Sequence, residues 1–324
     1  MGKSRVKVAA PAVEKAATSG GWWAWLLAGL TGGLLALAYP GGGLWPIAFI
    51  AYAPLLWALN DVERIKRGFV LGLVAGTVLH GLSFHWLSFT MHEMSGLPAA
   101  VGWLVVAGHA AAMGLHQAVF AAALVALRRW RRSPLWFVWV GASLMMAEVV
   151  VPWQFPWYLG NTVYLAPIWL QPADLFGIVG VSGLLVACSA LLVAALRRRS
   201  LRHALGLAGL LLVWLGYGGL RQSMIDGAAP KKRWKVGVVQ HNPTIKEKKA
   251  LKPHVRLPML KRVMSLTKAL PLKDLDLVVW SEGALPFFYV PLELEKPVRA
   301  PPVLRKMTRD VHLLAEGLGR PLIF

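Results

Sequence analysis

Seven apolar stretches fill the first two thirds of this 324-residue chain, and their number and length constrain its fold more than any other feature. Most of them approach the roughly 20 residues that a helix needs to cross a bilayer. Hydrophobic residues make up 56% of the sequence, which is too apolar for one soluble domain of this length. The sequence therefore predicts an integral membrane protein with about seven transmembrane helices. The stretches cover residues 22–39, 44–59, 68–89, 98–127, 135–151, 175–196 and 205–220.

The first stretch has an alternative interpretation as a cleaved signal peptide, because four lysine and arginine residues precede it. Six further stretches follow, and no small-residue cleavage site is evident. We therefore favour a membrane-spanning helix at this position.

The basic residues of the connecting segments predict how the chain is oriented. Fifteen lysine and arginine residues occupy the N-terminal tail and alternate connections, and the intervening connections have none. Such residues stay on the cytoplasmic side of spanning helices, so the N-terminus is expected in the cytoplasm and the part after the seventh stretch outside. The basic connections are 60–67, 128–132 and 197–202, and those without basic residues are 40–43, 90–97 and 152–174.

These patterns divide the chain into a basic cytoplasmic tail over 1–21, a transmembrane helical domain over 22–221 and an external domain over 222–324. From Arg221 onward there are 20 lysine and arginine residues against 9 acidic ones. An external domain does not meet nucleic acid, so anionic lipid headgroups are the favoured partner of this basic surface. A solvated basic face without a specific ligand is the alternative.

Residues suited to a metal or a cofactor are few. The one cysteine, Cys188, lies within the sixth stretch, where packing is favoured over a nucleophilic role. Glu148 lies inside the fifth stretch, where a carboxylate usually faces a partner, so we expect a buried hydrogen bond there. Five histidines near the third and fourth stretches lack compact ligand spacing. The sequence thus predicts no disulfide, metal or cofactor. The histidines are His80, His85, His92, His109 and His116.

Beyond residue 234 the pattern changes from long apolar runs to short alternating strands and helices. This alternation is typical of a layered α/β domain. The predicted elements are a strand at 235–240, a helix at 257–270, a strand at 275–280, a helix at 303–318 and a strand beginning at 322–324.

The second of these strands ends in Trp-Ser-Glu-Gly-Ala-Leu-Pro, residues 280–286. This sequence resembles the Trp-Pro-Glu-(Ser/Thr)-Ala-(Ile/Leu)-Pro strand end of apolipoprotein N-acyltransferases, whose outer domain has the nitrilase (carbon–nitrogen hydrolase) fold. Val-Gln-His-Asn at 239–242 is similar to the family's Val-Gln-Gly-Asn, and Phe-Pro-Trp at 155–157 to its loop between the fifth and sixth spans. Segments 86–98 and 39–57 also resemble the family, so that the likeness extends over residues 22 to 324.

The resemblance implies a partial nitrilase-like sandwich after the membrane helices, in a multi-pass protein of the bacterial inner membrane with residues after 221 in the periplasm. It also implies transfer of a fatty acyl chain from a phospholipid to the N-terminal amine of a diacylglyceryl-cysteine lipoprotein. Family members use a Glu, a Lys and a Cys, through a thioester acyl-enzyme. Only the Glu position is filled here, by Glu282, and the resemblance assigns substrate binding to Phe155, Trp157 and Trp280.

This sequence also departs from the family pattern. Ser281 replaces the proline before the Glu, Gly283 the hydroxyl residue after it, and His241 a glycine. The family's Lys and Cys lie downstream of the Glu strand and have no counterpart here, so they are expected in a missing or separately encoded portion. The alternative is a non-catalytic relative that binds lipid or lipoprotein. A transporter is disfavoured, because Glu148 is the one carboxylate clearly within a stretch.

Overall fold

The computed structural model describes residues 21–39, 41–228, 233–249, 253–285 and 302–324. The basic tail over 1–20 and the proline-rich segment 286–301 lie outside these residues. The chain forms two compact units, one made of Met1–Thr90 and Pro98–Ala228, the other of Met91–Leu97 and Ala229–Phe324.

The first unit is built from apolar helices joined by short connections. The α-helices are α1 Trp22–Ala38, α2 Ala53–Leu59, α3 Ile65–Ser83, α4 Trp86–Ser95, α5 Ala99–Met113, α6 Leu115–Ala126, α7 Trp136–Val150, α8 Pro167–Leu170, α9 Ala173–Arg198 and α10 Leu201–Gly227. The residues of α4 from Met91 onward belong to the second unit. Short 3₁₀ helices cover Trp45–Phe49, Arg128–Trp130 and Leu159–Leu165.

Four helical segments of the described chain are long and apolar enough to cross a membrane: Ile65–Ser83, Ala99–Ala126, Ala173–Arg198 and Leu201–Gly227. Three shorter apolar helices coincide with the other predicted stretches, and α1, with 17 residues, rises only about 25 Å. That is less than the roughly 30 Å of a hydrocarbon core. The prediction of an integral membrane protein is confirmed, and a count of seven crossings stays a prediction.

Small residues let the helices of this unit approach closely. A Cβ at Gly72 on α3 would lie 2.1 Å from the Gln117 backbone oxygen on α6. A Cβ at Gly32 on α1 would lie 2.4 Å from the Ala75 oxygen on α3. Glycine is therefore required at both crossings, as is common where apolar helices pack without a hydrophobic driving force between them.

The three basic connections meet at one end of the helical unit. The Arg197 guanidinium donates to the Asp61 carboxylate at 2.5 and 3.1 Å, and Arg198 donates to the Arg131 carbonyl at 2.6 Å. Arg131 in turn donates to the carbonyls of Leu59 and Asn60. The connections that the charge pattern assigns to one side of the membrane are thus neighbours in the fold.

The second unit contains a parallel three-stranded sheet in the order β1 Val236–Val239, β2 Leu277–Trp280 and β3 Leu322–Ile323. Val239 pairs with Trp280, and Val279 pairs with Ile323. The helices are α11 Ile245–Lys249, α12 Pro253–Lys268 and α13 Pro302–Leu318. The predicted alternation of strands and helices is confirmed. Helix α12 starts four residues earlier than predicted and includes Pro258.

One face of this sheet is covered and the other is open. Leu260 and Val263 of α12, with Met307 and Val311 of α13, pack with the sheet residue Val278 in one buried cluster. On the other face, side chains are exposed at 43% for Val236, 66% for Val238 and 55% for Ile323. The described residues of this unit form a single sheet, with its helices packed in one core. A sandwich needs a second layer on the open face, so the sandwich stays a prediction.

Candidate functional site

Glu282 lies in a turn directly after β2, with its side chain exposed. The Ser281 amide donates to the Val239 carbonyl at 3.1 Å, which extends the sheet ladder one residue beyond the strand pair. The Ala284 amide then closes the turn on the Ser281 carbonyl at 3.0 Å. Carboxyl ends of parallel strands are where α/β proteins commonly bind ligands, so the position of Glu282 suits a reactive carboxylate.

The same turn explains one departure from the family pattern. Gly283 has φ +72°, a backbone conformation that residues with a Cβ rarely adopt. Glycine after Glu282 therefore lets the chain reverse immediately beyond the carboxylate.

His241 occupies the equivalent edge position beyond β1. Its side chain is buried, and neither ring nitrogen has a hydrogen-bond partner among the described residues. Burial, followed by the charges of Arg262 and Lys248, lowers the pKa of His241, with a smaller opposing effect from Glu247. The imidazole is therefore neutral near pH 7. This buried polar side chain stands where the family has a glycine.

Trp280 is placed in the core of the second unit. Its indole Nε1 donates to the Thr267 hydroxyl at 2.9 Å, and its ring lies 5.9 Å from that of Phe324. Only 3% of the residue is exposed. These contacts account for a packing role, and substrate binding by Trp280 stays a prediction.

An aromatic cavity of about 540 Å³ lies in the helical unit, and both Phe155 and Trp157 line it. The Phe155 ring stacks on Phe84 with centroids 5.5 Å apart, and the Trp157 ring lies 5.8 Å from Tyr39. Trp86 completes the aromatic part of the wall. The structure thus brings together the two Phe-Pro-Trp residues with three residues that sequence reasoning missed. Their clustering at the ends of apolar stretches was the available signal, but it is equally typical of an aromatic belt.

Hydrogen bonds to Glu148 fix the loop that carries Trp157. The Glu148 carboxylate accepts the Leu159 amide at 2.9 Å, and its backbone carbonyl accepts the Trp153 indole at 2.8 Å. The next amide, that of Gly160, donates to the Ser182 hydroxyl at 2.8 Å. The predicted hydrogen-bonding role of Glu148 is confirmed: it fixes the loop that shapes the cavity.

Within the described ranges, no three His, Cys, Asp or Glu side chains are grouped as a metal ion would require. Cys188 is 1% exposed in α9, between Ala187 and Ser189 in the helix core.

The matches to a family model and to curated proteins all carry the same family name. The model of the apolipoprotein N-acyltransferase N-terminal domain matches residues 31–191. An apolipoprotein N-acyltransferase of Geobacter metallireducens is 30% identical over 82% of this chain and 52% of its own length. The Caulobacter vibrioides protein of that name is 33% identical over 81% of this chain and 49% of its own.

A third relative, the apolipoprotein N-acyltransferase of Bdellovibrio bacteriovorus, is 29% identical over 64% of this chain and 33% of its own length. The chain thus spans at most about half the length of these curated relatives. The Geobacter and Caulobacter matches extend the likeness into the second unit, because 82% and 81% of a 324-residue chain exceed the 228 residues that precede Ala229. By these matches, this chain belongs to the apolipoprotein N-acyltransferase family.

Proposed function

We propose that this chain acts in N-acylation of lipoproteins, moving a fatty acyl chain from a phospholipid to the N-terminal amine of a diacylglyceryl-cysteine lipoprotein. The observation that carries the proposal is Glu282, exposed in the turn after β2 at the carboxyl edge of a parallel sheet. The names of the relatives supply the reaction class.

In this proposal Glu282 is the general base. It takes the proton from a cysteine thiol, and the thiolate attacks the phospholipid ester to form a thioester and release a lysophospholipid. Glu282 gives this proton to the departing glycerol oxygen. The lipoprotein amine then attacks the thioester, forming the amide and releasing the thiolate, and the amine proton passes to Glu282. A lysine stabilises the oxyanion of each step. The cysteine and lysine come from a portion that this sequence does not contain, such as a separately encoded partner.

The aromatic cavity is proposed to receive the acyl lipid. Phe155 and Trp157 line it, and its wall is apolar over most of its surface, as a fatty chain requires. The proposed setting is the bacterial inner membrane, with the N-terminus in the cytoplasm and residues after 221 in the periplasm. The meeting of the basic connections at one end of the helical unit supports this orientation.

The test is acyl transfer from labelled phospholipid to a diacylglyceryl peptide, in proteoliposomes that contain the full chain and the complementing portion. Loss of a general base typically lowers the rate by 10²–10⁴-fold, so we expect at least about a hundredfold loss for Glu282→Gln. Glu316→Gln, the same change at an exposed carboxylate on α13, is the matched control. Full activity of Glu282→Gln would contradict the proposal.

A non-catalytic role is the second candidate, because the cavity lies within the described chain whereas the cysteine and lysine do not belong to it. In that case the chain would bind acyl lipid or lipoprotein without transferring the acyl group. Absence of transfer with every complementing portion, together with saturable phospholipid binding by the chain alone, would favour this candidate.

A further inference from the structure

A small cavity lies at the basic end of the helical unit, where the three arginine-bearing connections meet. Its volume is about 40 Å³, and three guanidinium groups and one amide line it, those of Arg131, Arg197, Arg198 and Asn60. A buried water needs roughly 10–15 Å³ of such space, so the cavity has room for about three water-sized groups. That room suits one phosphate group and is too small for a fatty chain.

Two of the three guanidinium groups have no carboxylate partner among the described residues. Arg197 donates to the Asp61 carboxylate at 2.5 and 3.1 Å, whereas Arg131 and Arg198 donate to backbone carbonyls. Each guanidinium carries five N–H donors, and these bonds use two donors of Arg131 and one of Arg198. Positive charge and hydrogen-bond donors therefore remain for a ligand at this cavity.

The environment of Arg131 also favours an anion. Burial lowers the pKa of Arg131, Asp61 opposes this shift, and the charges of Arg128 and Arg197 lower the pKa further. An anion beside Arg131 would offset both the desolvation and the repulsion from the neighbouring arginines. Water carries no charge and would offset the repulsion less.

The surroundings favour a lipid anion over a soluble one. Leu124 and Val193, both nearly buried, form part of the apolar lining. The Trp57 ring lies 4.8 Å from the Arg197 guanidinium carbon, and Trp57 and Trp130 are 38% and 45% exposed. Exposed tryptophan is typical of the headgroup level of a membrane. Basic pockets between spanning helices on the cytoplasmic side bind anionic lipid headgroups.

We propose that this cavity binds the phosphate of an anionic phospholipid, with Arg131 and Arg198 as donors and the acyl chains along the outside of the helical unit. A phosphate there would link three connections, because Arg131 already bonds the carbonyls of Leu59 and Asn60, and Arg198 bonds the Arg131 carbonyl. The inference goes beyond the proposed function, since this cavity shares no lining residue with the aromatic cavity.

The test is a competition between two phospholipids with identical acyl chains. The purified full chain in a neutral detergent receives equimolar dioleoyl phosphatidylglycerol and dioleoyl phosphatidylcholine, and native mass spectrometry counts each bound lipid. We expect about a tenfold preference for phosphatidylglycerol, because the choline ammonium offsets the charge of its phosphate. Excess inorganic phosphate should leave the preference unchanged. Displacement of phosphatidylglycerol by an equal concentration of inorganic phosphate would make soluble phosphate the ligand and overturn the assignment to a lipid.

Variants locate the preference. Arg198→Gln should reduce it about fivefold, the contribution of one arginine near an anionic headgroup. Arg202→Gln is the matched control, because Arg202 lies in the same basic connection but does not line the cavity. Ala194→Phe should abolish the preference without changing any charge, because Ala194 lines the cavity and the larger ring would fill it.

Three results would overturn the proposal. No preference in the unmodified chain would do so, and this comparison decides even if a variant fails to fold. Equal losses in Arg198→Gln and Arg202→Gln would show a diffuse basic surface without a site. An unchanged preference in folded Ala194→Phe would place the lipid elsewhere.

Discussion

The Tyr39 hydroxyl donates a 2.7 Å hydrogen bond to the Trp157 carbonyl, and so ties the end of α1 to the Phe-Pro-Trp loop 118 residues later in the chain. The two rings also contact each other at 5.8 Å. This pair fixes one corner of the aromatic cavity, because both side chains line it.

We expect Tyr39→Phe to lower the stability of the helical unit by about 1 kcal/mol, the usual net contribution of one partly buried hydrogen bond. Retention of phospholipid should fall as the loop loosens. Thermal unfolding in detergent, with quantification of co-purified lipid, measures both effects. Tyr164→Phe, at an exposed tyrosine, is the control. Unfolding of Tyr39→Phe at the temperature of the control would contradict the role given to the hydroxyl.

Glu148 should act through its acceptor oxygen. Glu148→Ala leaves the buried Leu159 amide without a partner, which costs about 1–3 kcal/mol. Glu148→Gln keeps a carbonyl oxygen at the same place and should stay close to the unmodified chain. Thermal unfolding of the two variants in detergent separates the outcomes. Equal destabilisation by both would mean that the charge, and not the hydrogen bond, is what this position needs.

His241 should make the second unit less stable in mild acid. Burial and the charges of Arg262 and Lys248 lower the pKa of His241 in the folded state. Below about pH 6.5 the unfolded chain therefore binds a proton that the folded chain does not, and the free energy of unfolding falls by at most about 1.4 kcal/mol per pH unit. Above that pH the effect is absent.

Hydrogen-exchange protection of β1, corrected for intrinsic rates, measures this effect between pH 7.5 and pH 5. His241→Gln should flatten the pH dependence, whereas the same change at His92, an exposed histidine of the second unit, should leave it unchanged. A pH dependence that survives in His241→Gln must come from other groups.

The orientation of the chain is tested by cysteine labelling in a Cys188→Ala background. Ser223→Cys, near the end of α10, should react with a membrane-impermeant maleimide added to cells with a permeabilised outer membrane. Ser133→Cys, beside the arginines at 128–132, should react only after the inner membrane is opened. The opposite pattern would place Glu282 in the cytoplasm and remove the basis of the proposed function.

The sequence was sufficient to predict the three strands and the two longer helices of the second unit, but not the five-residue α11. The strands were predictable because the runs ending at Val239 and Trp280 are short, β-branched and bounded by turn residues. Hydropathy was less informative about the membrane unit, since it reports composition and not helix length. The second stretch is divided near Pro54 into a 3₁₀ helix and the short α2, and the fourth is interrupted at Gly114 between α5 and α6.

The cavity was only partly predictable. Phe155 and Trp157 were found through the family loop, but Tyr39 and Phe84 come from the ends of α1 and α3, and only tertiary packing brings them together. Trp280 shows the opposite case. Its position near Glu282 in the sequence favoured a substrate-binding role, but its indole donates to the Thr267 hydroxyl in the core of the second unit. Neither relationship has a local signature in the sequence.

The open face of the parallel sheet has a practical consequence for anyone who purifies this protein. Val236, Val238 and Ile323 present exposed aliphatic side chains on this face, and exposed apolar patches on a sheet favour self-association. Preparations should therefore aggregate at high protein concentration. Dilution, or a polypeptide that covers this face of the sheet, should keep the protein in solution.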